Sequence, residues 1–257
     1  MEGDGNMRDE GRNTGRLKAQ YAAVASQETS GGGEGAADPF AYAKSIGYSE
    51  QEMRSVPSEA VITHGCGNPT ALAQLRPGQV VLDLGCGGGL DAFLAAQRVG
   101  PGGRVIGLDM TPGMVEKATA SARKGGYANV DFRVAEIEKL PVADDSVDVV
   151  ISNCVINHVL DKPAVFKEVH RVLKPGGRLF LSDLVTTGQL PDGMLKKVNE
   201  MWAPWLAVAS DRQEYLKAIQ QGGFRTMTVL AQGLFPMAEA DAVLRGRVLS
   251  IQIKADK

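Results

Sequence analysis

The stretch Val80-Val81-Leu82-Asp83-Leu84-Gly85-Cys86-Gly87-Gly88-Gly89 leaves this chain few ways to fold. A short run of β-branched and aliphatic residues stops in a glycine turn, and residues 90–96 (LDAFLAA) resume with helical spacing. A buried strand passing through a tight turn into a helix is the opening of a βαβ unit. Glycines at 85, 87 and 89 permit that turn and let a ligand approach the backbone closely.

A dinucleotide fingerprint would need G-x-G-x-x-G, but position 90 is Leu. G-x-G-x-G with Asp83 two positions ahead of the first glycine fits an S-adenosylmethionine site better. That ligand carries an amino acid moiety and no pyrophosphate, so a carboxylate suits its ammonium. Residues 104–108 read as the next strand, with Asp109 at its carboxyl end, 20 residues after Gly89 (109 − 89). There a doubly wound nucleotide site places an acid for the ribose hydroxyls.

Further strands are expected at 130–134, 147–152 and 178–184, with helices at 70–73, 114–124 and 163–173, the last stopped by Lys174-Pro175-Gly176-Gly177. Strands and helices alternate, which predicts an α/β, doubly wound, mainly parallel sheet. Residues 227–230 and 248–253 would supply a closing antiparallel edge and bring the sheet to seven strands. Residues 194–210 are apolar, with Trp202 and Trp205, and read as a helical cover spanning about 186–212, or alternatively as core packing elsewhere. The polar, glycine-rich residues 1–38 read as a flexible segment with a short helix at 17–25, and 39–257 as a single domain. Ser49-Glu50-Gln51-Glu52 has the capping-box pattern of a helix start.

The charge balance, 28 basic against 30 acidic residues or −2, shows no basic run and argues against nucleic acid or anionic membranes as partners. No apolar run approaches the ~18 residues of a membrane span, and no leader pattern opens the chain. Three cysteines, Cys66, Cys86 and Cys154, are too few for a disulfide scaffold and suggest a reducing cytoplasm. A small-molecule substrate is the partner these features leave.

Gly47-Tyr48-Ser49-Glu50, Gly65-Cys66-Gly67-Asn68-Pro69, Asp109-Met110-Thr111-Pro112, Glu136-Ile137-Glu138-Lys139-Leu140-Pro141 and Ser152-Asn153-Cys154-Val155-Ile156-Asn157 together resemble the arsenite S-adenosylmethionine methyltransferases. The glycine turn and the LKPGG segment are common to class I methyltransferases, whereas the two cysteine motifs are specific. The resemblance implies that Cys66 and Cys154 hold trivalent arsenic as thiolates, a soft donor pair for a thiophilic centre. It also implies a cofactor site of Asp83, Gly85, Cys86, Gly87, Gly89, Asp109 and Met110. Glu136 and Ile137 would take the adenine, and backbone groups near Asn153 the methionine moiety. Cys86 would serve there as a small side chain inside the turn.

Members of that family commonly carry one more cysteine near the N-terminus and another in the cover segment. Here residues 26–39 contain none, and the second place falls near Trp205. Two thiolates suit an arsenical that already bears a carbon substituent, such as methylarsenite; otherwise the scaffold serves an organic acceptor, which Trp205 would favour. Each cysteine also has a plain reading as a small buried hydrophobe. His158 is a candidate base for an oxygen or nitrogen acceptor or a simple capping residue, His64 a neighbour that could lower the Cys66 pKa, and His170 a surface position. A metabolite methyltransferase or another S-adenosylmethionine-consuming enzyme, and a metalloid sensor without turnover, are the competing readings.

Overall fold

Val81 and Leu82 are neighbours on one strand, face opposite ways and are both fully buried, so the sheet must be covered on both sides. The computed structural model describes residue 22 and residues 38–62, 65–188, 209–235 and 244–257. Among these, seven strands form one sheet: β1 (Val80–Leu84), β2 (Arg104–Asp109), β3 (Val130–Val134), β4 (Val147–Asn153), β5 (Leu173–Thr186), β6 (Thr226–Leu234) and β7 (Val248–Asp256). Their order is β3-β2-β1-β4-β5-β7-β6. The first five run parallel, and β7 is antiparallel to both β5 and β6. The described helices are α1 (Pro39–Ser45), α2 (Glu50–Arg54), α3 (Pro69–Leu72), α4 (Leu90–Val99), α5 (Pro112–Gly125), α6 (Lys162–Val172) and α7 (Arg212–Gln221). None is long and apolar enough to cross a membrane.

On one face Leu82, Leu84, Val150 and Leu181 pack with Phe166 and Val169 of α6 and Tyr215 and Ile219 of α7. On the other, Val81, Val105, Val149 and Ile151 meet Ala92, Ala95, Ala96 and Val99 of α4. Small alanines let α4 lie close to the strands. The N-terminal helices close that layer, with Ile46, Tyr48 and Met53 against Leu90, Phe93 and Leu94. Ser49 forms the expected capping box, its hydroxyl accepting from Glu52 N and its own N–H donating to Glu52 Oε2.

β5 begins five residues earlier than the glycine-proline segment suggested. Val147 pairs with Leu173 and Val149 with Arg178, so Lys174-Pro175-Gly176-Gly177 is accommodated as a bulge rather than as a break. β6 and β7 likewise extend past the expected residues. All of the expected helix at 17–25 but residue 22, and most of the expected cover, 189–208, lie outside the described residues.

The strand order reverses between β1 and β4, so the loops that leave their carboxyl ends diverge and open a crevice. This reversal places the site.

Phe166 is fully buried, edge-on to Tyr215 with ring centroids 5.9 Å apart, and Gly222 leaves no room beside it. Phe166→Ala is expected to cost ~3–5 kcal/mol of unfolding free energy. Urea titration checks this, and a loss below ~1 kcal/mol would mean that α6 and α7 are not packed through this ring.

Candidate active site

Asp83 shares the sheet face of Val81, which turns its carboxylate towards α4 and the crevice. The turn that follows is fixed by sterics: Gly85 has φ +67°, and a Cβ there would lie 2.2 Å from Val155 Cγ2. Gly87, at φ +50°, has open space where a side chain would stand. Its N–H donates to Asp109 Oδ2 at 3.0 Å, and Thr111 N–H donates to Asp109 Oδ1 at 2.8 Å. The ends of β1 and β2 are thereby locked together beside a cavity of about 370 Å³.

Asp91, Tyr48 and Thr70, to which the sequence assigned no site role, complete this half. Asp91, in the first turn of α4, accepts from the hydroxyls of Tyr48 (2.8 Å) and Thr70. Asp83 Oδ2 is buried with no hydrogen-bond partner among the described residues. Burial pushes the Asp83 carboxyl well above its ordinary range, with the charges of Asp91 and Asp109 adding to the effect. Burial also raises Asp91 and Asp109. Two buried acids and the half-buried Asp109 around one cavity make a place that wants a cation and hydroxyl donors. The available signal for Asp91 was an acid inside the otherwise apolar run LDAFLAA.

The sulfur half lies across the crevice. Asn153, the last residue of β4, accepts from Cys66 N–H at 2.9 Å and donates to Gly67 O at 2.8 Å and Tyr48 Oη at 2.9 Å. A Cβ at Gly65 would strike Asn153, and one at Gly67 would stand 2.6 Å from Ser182 Oγ. The glycines on either side of Cys66 are therefore needed for this approach. Cys154 adopts a left-handed backbone, φ +59°, with its N–H donating to Ser182 O at 2.8 Å. A left-handed non-glycine residue at a strand end is a mark of functional sites. The structure brings Cys66 Sγ, Cys154 Sγ and a carboxylate oxygen of Asp183 all within 4.8 Å of one another. Burial raises the Cys66 thiol, and Cys154 adds to the shift. Asp183, which the sequence reading did not single out, is raised to about 6 by burial, against donors from Tyr215, Leu184 and Asn157 and the charge of Lys162.

Met110, Glu136 and Ile137 line the same cavity as Asp83, Gly85, Cys86, Gly87, Asp109, Asn153 and Cys154. Gly89 sits at the start of α4, and a Cβ there would crowd Phe93 and Phe132. Cys86 packs towards Gly107 of β2, away from the other two sulfurs. His158 lines the cavity. His170 is not a free surface group: it is half-buried, edge-on to Phe224 at 5.3 Å, and burial lowers its pKa. His64 and Trp205 lie outside the described residues.

The fold and this cavity define a methyltransferase domain, and residues 75–223 match the family described as a methyltransferase domain. An arsenite methyltransferase of Halobacterium salinarum is 46% identical over 184 residues, which are 72% of this chain and 47% of that protein. The human arsenite methyltransferase is 37% identical over 184 residues, 68% of this chain and 48% of its own length. The crystal structure of an arsenic(III) S-adenosylmethionine methyltransferase from Chlamydomonas reinhardtii superposes with a TM-score of 0.69 at 34% identity, covering 85% of this chain and 73% of that one. The chain belongs to the arsenite S-adenosylmethionine methyltransferase family. It spans about half the length of the curated relatives it matches. The residues present fit S-adenosylmethionine: a partnerless buried carboxylate oxygen for an ammonium, open backbone at Gly87, and Ile137 beside Glu136 for an adenine face and edge.

Because the folded-state pKa of Asp83 is raised, its ionisation costs stability once pH exceeds the unfolded value near 4. Asp83→Asn is therefore expected to raise the unliganded Tm at pH 7, with the gain fading as pH falls towards 4. The same change should weaken S-adenosylmethionine binding by about 10- to 100-fold, the worth of a hydrogen bond to a charged group. Thermal scans and calorimetry read both; a variant less stable than wild type at pH 7 would contradict the buried-charge account.

Proposed function

We propose that this protein transfers a methyl group from S-adenosylmethionine to a trivalent arsenical held by Cys66 and Cys154. The observation that carries the reading is the convergence of those two sulfurs, from separate loops, on the crevice that also holds the acid-lined cavity. Asp83 and Asp91 face the ammonium, Asp109 the ribose hydroxyls, and Glu136 and Ile137 the adenine. S-adenosylmethionine supplies a methyl group already activated on its sulfonium. The protein's own work is to load, orient and exclude water.

Loading requires no prior deprotonation of the raised Cys66 thiol. Each arsenic–oxygen bond of a dihydroxy arsenical exchanges for an arsenic–sulfur bond, and each thiol proton leaves with the hydroxyl as water. Two thiols displace two hydroxyls and leave the third substituent and the lone pair on arsenic. A methylarsenical fits that stoichiometry without remainder, which favours methylarsenite over arsenite as acceptor. The three unpaired, buried cysteines suit a reducing compartment such as the cytoplasm.

Methyl transfer is tested with arsenite and methylarsenite against wild type, Cys66→Ser and Cys154→Ser. We expect turnover with methylarsenite, falling at least ~100-fold in either variant because arsenic then has one soft donor. Full activity in both variants would remove the thiolate role. Tight arsenical binding with no methylated product would favour a sensor.

A further inference from the structure

We infer that Cys66, Cys154 and Asp183 form a binding site for a soft divalent cation of the zinc and cadmium class, with its fourth coordination position open to the cavity. The inference shares two sulfurs with the proposed arsenical site but needs neither arsenic nor methyl transfer.

Two sulfurs and one carboxylate oxygen, all buried, lie within 4.8 Å of one another. Zinc bonds to sulfur at about 2.3 Å and to carboxylate oxygen at about 2.0–2.2 Å, so a cation between such atoms spans about 4 Å from donor to donor. Thiolates exclude magnesium and calcium and select zinc-like ions. Three protein ligands with one position left open for water or a ligand is the arrangement of catalytic rather than structural zinc sites. Cys154 lines the cavity, which gives that position an outlet.

The carboxylate is also held as a ligand would be. Asp183 Oδ1 accepts from Asn157 Nδ2 at 2.7 Å and from Leu184 N–H at 2.9 Å, which fills its two lone pairs. Oδ2 accepts from Tyr215 Oη at 2.8 Å and keeps one lone pair. Such outer hydrogen bonds orient ligating carboxylates. A packing role for Asp183 would not require a buried charge beside two thiols. On binding, the cation forms two metal–sulfur bonds and one metal–oxygen bond, and the two thiol protons pass to buffer. The resulting single negative charge is offset by Lys162, whose Nζ is anchored by Val159 O at 2.9 Å and attracted by Asp183. A cation seated there occupies both sulfurs and excludes an arsenical.

The test is titration of the full chain with Cd²⁺, under a phosphine reductant, following sulfur-to-cadmium charge-transfer absorbance. We expect one Cd²⁺ per chain, loss of that complex in Cys66→Ser and in Cys154→Ser, and block of the signal by prior loading with methylarsenite. Asp183→Asn should weaken the complex more than ~10-fold; Tyr215→Phe, which removes only an outer hydroxyl, should weaken it by about 10-fold and decides the matter if the Asp183 variant does not fold. Absence of a one-to-one complex, unchanged affinity in both carboxylate-side variants, or full Cd²⁺ binding to a chain that already holds methylarsenite overturns the inference. Cadmium binding without arsenical turnover sinks the methyltransfer proposal alone. Turnover with unchanged cadmium affinity in both carboxylate-side variants sinks this one alone.

Discussion

One amide side chain holds the two halves of the cavity in register. Asn153 ends β4 at the point where the strand order reverses, and it grips the backbone on both sides of Cys66 while meeting the Tyr48 hydroxyl that in turn holds Asp91. Its oxygen accepts an N–H and its nitrogen donates, so the orientation of the amide is set by its partners rather than assumed. Residues far apart along the chain are joined there without any regular secondary structure between them. The loop that carries Cys66 makes this approach because Gly65 and Gly67 have no side chains to prevent it.

Around that amide the protein accumulates charge it cannot solvate. Asp83, Asp91, Asp109 and Asp183 all lie in or beside the crevice, and burial raises every one of them. Burying a carboxylate without a cation is unfavourable by several kcal/mol in apolar surroundings, to an extent of roughly 2–7 kcal/mol even for uncharged polar groups. The scaffold tolerates this because both faces of the sheet are fully packed, Val81 on one side and Leu82 on the other. Stability is generated in the layers and spent at the edge, where a cationic ligand would return it. The carboxyl edge is thus the place where the chain is least satisfied and most prepared to bind.

The fold was legible in the sequence because it is written in local signals. The strand-turn-helix at Val80 to Val99, the alternation that follows, and the two late strands needed only period and punctuation to read. The stop of the helix before Lys174–Gly177 was legible, and the helix ends at Val172, but nothing local says that Leu173 already pairs with Val147 before the register shifts. Asp83 and Asp109 were visible because each lies at a fixed distance from the glycine turn. Tyr48, Asp91 and Asp183 were not, because their roles come from long-range partners: Tyr48 reaches Asp91 and Asn153, and Asp183 reaches Tyr215. A lone acid in an apolar strand or helix was the hint in both RLFLSDL and LDAFLAA, and it carries no direction until the sheet is assembled.

The same crevice has an acid side and a sulfur side. Asp83, Asp109 and Asp91 come from β1, β2 and α4, and the sulfurs from the loop at Cys66 and the turn after β4, with Asp183 of β5 beside them. Only Asn153 and its partners join the two sets. Such a division lets the chemistry on the sulfur side change while the oxygen side stays as it is, because neither thiol takes part in locking Gly87 to Asp109. The two sides are still joined: Asp91 accepts from both Tyr48 Oη and Asn153 Nδ2, and Asn153 Oδ1 accepts from the Cys66 N–H. A change at Asp91 therefore reaches the Cys66 backbone through two hydrogen bonds, by way of Asn153. Asp109 is anchored by the Gly87 and Thr111 backbone and Asp91 by Tyr48, Thr70 and Asn153, which makes the acid side the part of the pocket that has least freedom to vary.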